Sequence, residues 1–307
     1  MKLTMRTLSD EKDYWRIRQF LRQVMLANGL RMFGWSVQRL DYWRWHGIGN
    51  CLSCEPLSQI IFLWEAPDGQ IAAVLNPEER GDCFMHVHPA FKSRELEQEM
   101  ITLAVEKLPV ALDGRQKIHI WADSQDVQRQ ELLSFHGFSK ENYAESQWRR
   151  DLAKPLPDAP LAEGFAIRCL GDASEHPART WASWRGFHPN ELAVGYAGPE
   201  WYLNIQHCPL YRRDLDMVAV SGDVIASFAT LWFDDVTRTV LVEPVATVPE
   251  HQRKGLSRAV ITEGLRRAQL LGAVRAFVGG YESGPNALYS SVFSPVCDRS
   301  VSWLKEF

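Results

Sequence analysis

A mixed α/β fold built twice in one chain is what the sequence predicts, and three observations predict it. At 307 residues the chain exceeds what one hydrophobic core organises, so two domains of about 150 residues each are expected. Near its middle the stretch Ala153-Lys154-Pro155-Leu156-Pro157-Asp158-Ala159-Pro160 places three prolines in eight residues, which favours extended, irregular chain. The segments on either side then end alike, each with a short helix-like run closing on phenylalanine and a Trp-centred strand.

The similar ends run in the same order. Leu132 to Phe138 precedes the strand Ser146-Gln147-Trp148-Arg149-Arg150-Asp151-Leu152, and Leu288 to Phe293 precedes Val301-Ser302-Trp303-Leu304-Lys305-Glu306-Phe307. Between these ends and the chain's two beginnings, the periodicities also correspond. Ile60 to Glu65, Gln70 to Leu75 and Cys83 to Val87 alternate as strands; Arg94 to Leu108 reads as a helix and Lys117 to Ala122 as a strand. In the second half the strands are Asp216 to Val220, Val224 to Phe233 and Thr239 to Val248, followed by a helix from Leu256 to Leu271 and a strand from Ala276 to Gly280. Each half is thus a meander feeding one crossover helix, which gives domains over 1–152 and 161–307 joined by a linker over 153–160. Leu256, Val260, Leu265, Ala268 and Leu271 form the apolar stripe that seats the second helix on its sheet.

Composition removes several classes of partner. With 46% hydrophobic and 23% charged residues and a net charge of −4, the chain has no electrostatic footprint for nucleic acid or an anionic membrane. No apolar run approaches the ~20 residues of a membrane span, and Met1 to Asp10 lacks the apolar core of a secretory signal, so a cytoplasmic location is expected. Six cysteines, at 51, 54, 83, 169, 208 and 297, are too sparse for a disulfide scaffold. Cys51 and Cys54 make a lone C-x-x-C with no second ligand pair, so no metal is expected. Trp15, Trp35, Trp43 and Trp45 interleave with Arg16, Arg18, Arg31, Arg39 and Arg44. With the negative net charge this reads as arginines snorkelling over an apolar face rather than as a stacking surface for bases.

The chemistry-bearing stretch is Gln252-Arg253-Lys254-Gly255-Leu256-Ser257, between the strand ending near Val248 and the helix from Leu256. A glycine and a small residue at the mouth of a helix leave backbone N–H groups unobstructed, and with the helix dipole these make a site for phosphate. Arg253 and Lys254 add cationic side chains, so a ligand bearing a pyrophosphate is expected. His251 precedes this loop and reads as a solvated histidine.

The pattern Gln252-x-x-Gly255-x-Ser257, with a strand before it and an amphipathic helix after it, resembles the acyl-CoA-binding motif Q/R-x-x-G-x-G/A of the GNAT-superfamily N-acyltransferases. Serine stands where that family has glycine or alanine. Asn286-Ala287-Leu288-Tyr289 resembles the family's second conserved region, with Val292-Phe293 in place of its usual Gly-Phe. The resemblance implies two GNAT-like domains in tandem, similar to mycothiol synthase-like proteins, each a mostly antiparallel mixed sheet flanked by helices with splayed central strands.

The resemblance also implies roles. The cofactor-side residues are Val245, Ala246, Thr247 and Val248 along the pantetheine arm, Gln252, Arg253, Lys254, Gly255, Leu256 and Ser257 at the diphosphate, and Asn286 on the arm. Tyr289 is the general acid for the departing thiolate, or else a buried core tyrosine. Glu243, sharing the face of Leu241 and Val245 by strand parity, is a general base, or else a structural glutamate. Pro244 inside that strand marks a bulge or splay, or else an edge strand. Trp181, Trp184, Arg185, Tyr196, Trp201, Tyr202 and Tyr211 line the acceptor side or pack between the halves. In the first half Glu95 falls where Gly255 stands and Leu133 where Tyr289 stands, so that domain reads as a degenerate copy. The implied reaction is transfer of an acetyl group from acetyl-CoA to the primary amine of a small molecule in a ternary complex, by a monomer or homodimer. A non-catalytic acyl-CoA-binding sensor or scaffold stands as the second reading.

Overall fold

The computed structural model describes residues 2–51, 56–295 and 297–307. It divides into two compact units that do not follow the expected 1–152 and 161–307. The first comprises Met1–Trp43, Cys51–Gln147 and Asp298–Phe307; the second comprises Arg44–Asn50 and Trp148–Cys297. Three short pieces of chain have therefore changed sides: Asp298–Phe307, Trp148–Leu152 and Arg44–Asn50. Cys54 of the C-x-x-C lies outside the described residues, as does the side chain of Cys51.

The first unit opens with β1 (Thr4–Thr7) and α1 (Glu11–Ala27). Asp10 caps α1 by accepting from the N–H groups of Lys12 and Asp13, and Tyr14, Ile17, Leu21 and Met25 recur on its buried face. After α2 (Val37–Tyr42) and α3 (Leu57–Ile60) come the antiparallel strands β2 (Phe62–Glu65), β3 (Ile71–Glu79) and β4 (Asp82–Val87). The crossover helix α4 (Arg94–Lys107) leads past β5 (Val110–Leu112) to β6 (Arg115–Asp123), which lies parallel to β4. Then follow α5 (Val127–Phe135) and β7 (Ser139–Asp151).

The second unit begins with β8 (Ala166–Cys169) and α6 (His176–Phe187). After α7 (Tyr202–Gln206), the antiparallel meander β9 (Asp216–Ser221), β10 (Val224–Asp234) and β11 (Thr239–Thr247) feeds α8 (Leu256–Leu270), then β12 (Arg275–Gly280) and α9 (Ser283–Val292). Leu256, Val260, Leu265 and Ala268 are buried against this meander as the stripe requires. Leu271 is not; it lies beyond the helix at 37% exposure.

The last strand, β13 (Cys297–Glu306), explains the first exchange. It pairs antiparallel with β6 of the first unit, from Ser300 opposite Asp123 to Glu306 opposite Lys117. The first sheet therefore reads β1-β2-β3-β4-β6-β13-β7, and the second reads β8-β9-β10-β11-β12 with the Trp148–Asp151 end of β7 beside β12. Arg150 fixes that end by donating from Nη1 to the carbonyls of Val292 (2.7 Å) and Phe293 (3.2 Å), and Leu152 N–H donates to Val274 (2.9 Å).

Two of the arginines near the N-terminus, Arg18 and Arg39, do not snorkel. Arg18 is buried and donates to both carboxylate oxygens of Asp41, at 2.8 and 2.9 Å; Arg39 is buried against Glu145 at 2.8 Å. Both are held by ion pairs inside the unit, a geometry that sequence spacing does not reveal because the partners lie far along the chain.

Candidate acyl-CoA site of the second unit

β11 and β12 run parallel and pair from Thr239 opposite Arg275 to Leu241 opposite Phe277. Beyond that point both strands continue but part. On its other side β11 stays paired to β10, with Val245 opposite Ala229, Ala246 opposite Phe228 and Thr247 opposite Ser227. Among the described residues, the β12-facing main chain of Val245 to Val248 therefore has no strand partner. A parted pair of parallel strands is a gap with backbone donors and acceptors on its wall, which suits an amide-bearing arm.

Pro244 sits in this interior strand, at a register shift where Glu243 and Pro244 together oppose Thr230. That is a β-bulge, and it excludes the edge-strand reading. The bulge also corrects the parity argument for Glu243. Val240, Val242 and Val245 all face the core under α8, so Leu241 and Val245 lie on opposite faces and Glu243 shares only the face of Leu241.

The loop that follows is the phosphate candidate. The turn Pro249–His251 leads to Gln252, Arg253 at φ +64° and Gly255 at φ +75°, the residue that precedes the first turn of α8. Left-handed backbone is the reason for glycine here. No side chain caps α8, its first turn holds no acidic residue, and a Cβ on Gly255 would meet nothing within 4 Å. Gln252, Arg253 and Lys254 are exposed around this opening. Lys254 reaches over the Phe165 ring, 5.4 Å from its centroid, and its Nζ lies 3.2 Å from His251 Nδ1. Ser257, which departs from the family pattern, bonds to Thr247 Oγ1 at 2.6 Å, and Thr247 donates on to Ser227 at 2.8 Å. The hydroxyl ties the first turn of α8 to β11 rather than projecting into the opening. Gly186 of α6 lies over the same strand: a Cβ there would come 2.6 Å from Ala246 Cβ, so only glycine allows this helix so close.

Tyr289 lies on α9 among Val278, Val292 and Phe293 and is 7% exposed. Burial, and secondarily the charge of Glu243, push its phenol above the ordinary tyrosine range, so it keeps its proton at neutral pH. The structure thus brings Tyr289 within electrostatic reach of Glu243, two residues separated by most of the crossover. Asn286, one turn earlier on α9, has its Oδ1 held by Trp148 Nε1 at 2.8 Å. Its side chain is oriented by a residue of β7 that sequence reading assigned to the other half.

The aromatic residues before the meander divide into two groups. Tyr202 and Tyr211 both donate to the buried Asp216, which also faces Arg179 Nε at 3.4 Å. They are committed to a buried network inside the unit. Trp181, Trp184 and Tyr196 instead pack on one another, with Trp181 39% exposed, while Arg185 pairs with Glu250 at 2.9 Å. Sequence reading missed His46. It belongs to Arg44–Asn50, packs on Trp201 with ring centroids 5.1 Å apart, and is held neutral, at about 4, by burial and by Arg179. Its only signal was the tryptophan-rich segment around it, which the sequence places among first-half residues.

In the first unit, β4 and β6 part in the same way after Cys83 opposite Ile120. The helix beyond differs. Ser93 caps α4 by accepting from Leu96 N–H at 3.2 Å, and hydrogen bonds from its own N–H and from Ser93 hold the Glu95 carboxyl below the usual range. Leu133 is fully buried.

Residues 179–288 match the model of the acetyltransferase (GNAT) family. No curated protein matches the chain. Among solved structures, a GCN5-related N-acetyltransferase from Sphaerobacter thermophilus aligns over 99% of this chain and 95% of its own at 17% identity, with a TM-score of 0.66. A tandem GNAT protein from the clavulanic acid biosynthesis pathway aligns over 99% and 98% at 14% identity and a TM-score of 0.62. A GNAT-family acetyltransferase from Colwellia psychrerythraea aligns over 99% and 99% at 11% identity and a TM-score of 0.59. The chain has the GNAT-superfamily fold in a tandem-like arrangement, with the family's sequence signature in its second unit. Residues 179–288 thus carry the signature of a family of acetyltransferases. Among the described residues no helix is long and apolar enough to cross a membrane, and no group of three His, Cys, Asp or Glu side chains is placed to hold a metal ion.

Proposed function

We propose that the second unit transfers an acetyl group from acetyl-CoA to the primary amine of a small molecule, by direct attack in a ternary complex. One observation carries this reading: the uncapped, left-handed opening of α8 follows at once on the point where β11 and β12 part. The fit is good, because the free N–H groups of the first turn, with Arg253 and Lys254 beside them, suit a diphosphate, and the open edge of Val245 to Val248 suits the arm. Bound acetyl-CoA supplies the activated thioester. Asn286, oriented by Trp148, presents its amide N–H to the arm. Glu243 takes the proton of the incoming amine, and Tyr289, kept protonated by burial, gives its proton to the leaving sulfur. The first unit, with a carboxylate at its helix opening and leucine at position 133, serves as a degenerate partner.

The test is CoA release followed with a thiol-reactive dye across a panel of small amines. Tyr289→Phe is expected to lower kcat by about a hundredfold or more while leaving the KM for acetyl-CoA unchanged. If the native protein binds acetyl-CoA but releases no CoA with any amine, the chain is a binding protein and the reading fails.

A further inference from the structure

The first unit contains a cleft of about 350 Å³ that the proposed chemistry does not use. It lies where β4 and β6 part, between Met25 of α1, the segment Arg31–Trp35, Met85 and His86 of β4, and Asp123 at the end of β6. Its size suits a small organic molecule. The helix opening nearest in sequence, that of α4, is already satisfied by Ser93 and Glu95, so a diphosphate finds no cradle there.

The lining charges are almost all spent on one another. Arg31 donates to Asp298 at 2.6 Å and to Gln125 at 3.3 Å; Lys92 donates to Asp126 at 2.7 Å; Arg129 donates to Glu97 at 2.5 Å. Arg31 Nε and Asp123 are the exceptions, and Asp123 is the acidic one. It is 4% exposed, its Oδ1 accepts from Gln125 N–H at 2.7 Å, and its Oδ2 has no hydrogen-bond partner. A buried carboxylate oxygen without a partner is costly, and a cationic N–H donor removes that cost. The Trp35 indole N–H is likewise buried and unpartnered, beside the apolar walls of Met25, Met32 and Met85.

We propose that this cleft binds a small primary ammonium ion carrying an apolar body, with its nitrogen on Asp123 Oδ2. The site is separate from the opening of α8 and does not depend on catalysis there. Burial raises the affinity of the bare Asp123 carboxyl for a proton, which is the same demand that a ligand cation answers.

The experiment is calorimetric titration of the full chain with 2-phenylethylamine, butylamine and putrescine, and with 2-phenylethanol as an uncharged isostere. At least one amine is expected to bind while the alcohol does not, and Asp123→Asn, which keeps the acceptor for Gln125, is expected to weaken that amine about tenfold or more. Gly255→Glu is expected to leave the amine binding unchanged. The indole signal of Trp35, assigned through Trp35→Phe, should shift with amine. The proposal is overturned if none of the three amines binds, if the alcohol binds as tightly, if Asp123→Asn binds as well as the native protein, or if acetyl-CoA is what moves the Trp35 signal.

Discussion

The helices α4 and α8 occupy equivalent places in two similar units, and they begin in opposite ways. Glu95 and Glu97 lie in the first turn of α4, Ser93 caps it, and the backbone before it is extended. A left-handed glycine precedes α8, with no cap and no acid in its first turn. The positive end of a helix attracts an anion in both cases. In the first unit the chain supplies that anion itself, so the helix is locally stable and chemically closed; in the second no cap or first-turn carboxylate answers it. Strand geometry alone does not distinguish the two units, because both pairs of parallel strands part.

The strongest way to break this comparison is to give α8 the residue of α4. Gly255→Glu places a carboxylate and a strained left-handed backbone at the opening, and acetyl-CoA affinity is expected to fall by about a hundredfold or more by calorimetry. Affinity that persists would place the donor elsewhere. A second comparison is electrostatic and concerns His46 of the second unit and His86 of the first. The unfolded chain takes up a proton on His46 and His86 near pH 6.5, whereas the folded chain does so only at about 4 and about 3, both because of burial. Proton uptake therefore favours unfolding across that window, so the stabilising contribution is full above pH 6.5 and is lost as pH falls toward those values. The slope is about 1.4 kcal/mol per pH unit for each histidine, and urea melts should be shallower in pH for His86→Gln than for the native protein.

Smaller effects sharpen the comparison. Trp148→Phe frees Asn286 Oδ1 and is expected to raise the KM for acetyl-CoA by roughly tenfold or less, consistent with one lost hydrogen bond of about 1 kcal/mol, with kcat little changed. Ser93→Ala uncaps α4 and should cost about 1 kcal/mol in a thermal melt without any gain in acyl-CoA binding, because Glu95 still holds the opening.

Much of the fold was legible because its signals are local. The meander of β9, β10 and β11, the crossover α8 and the corresponding elements of the first unit announce themselves by period, and Gly255 announces itself by chemistry. What escaped depends on contacts distant in sequence. The strands around Trp148 and Trp303 look alike, and nothing in either says which sheet it joins; pairing with β6 decides that for β13. Strand parity failed at Glu243 because a bulge inserts one residue, and bulges leave only Pro244 as a sign. His46 escaped because it works in a unit whose sequence begins a hundred residues later.

The placement of β13 has a consequence for biosynthesis. When the segment ending in β7 has left the ribosome, β6 and β7 still lack the strand that will separate them, and both present bare edges capable of joining other chains. The gap stays open until residues near 306 emerge, by which time every strand of the other unit is available. Two folding events that the duplicated sequence suggests would be sequential are thus made to finish together, and losing the final strand injures the unit encoded first.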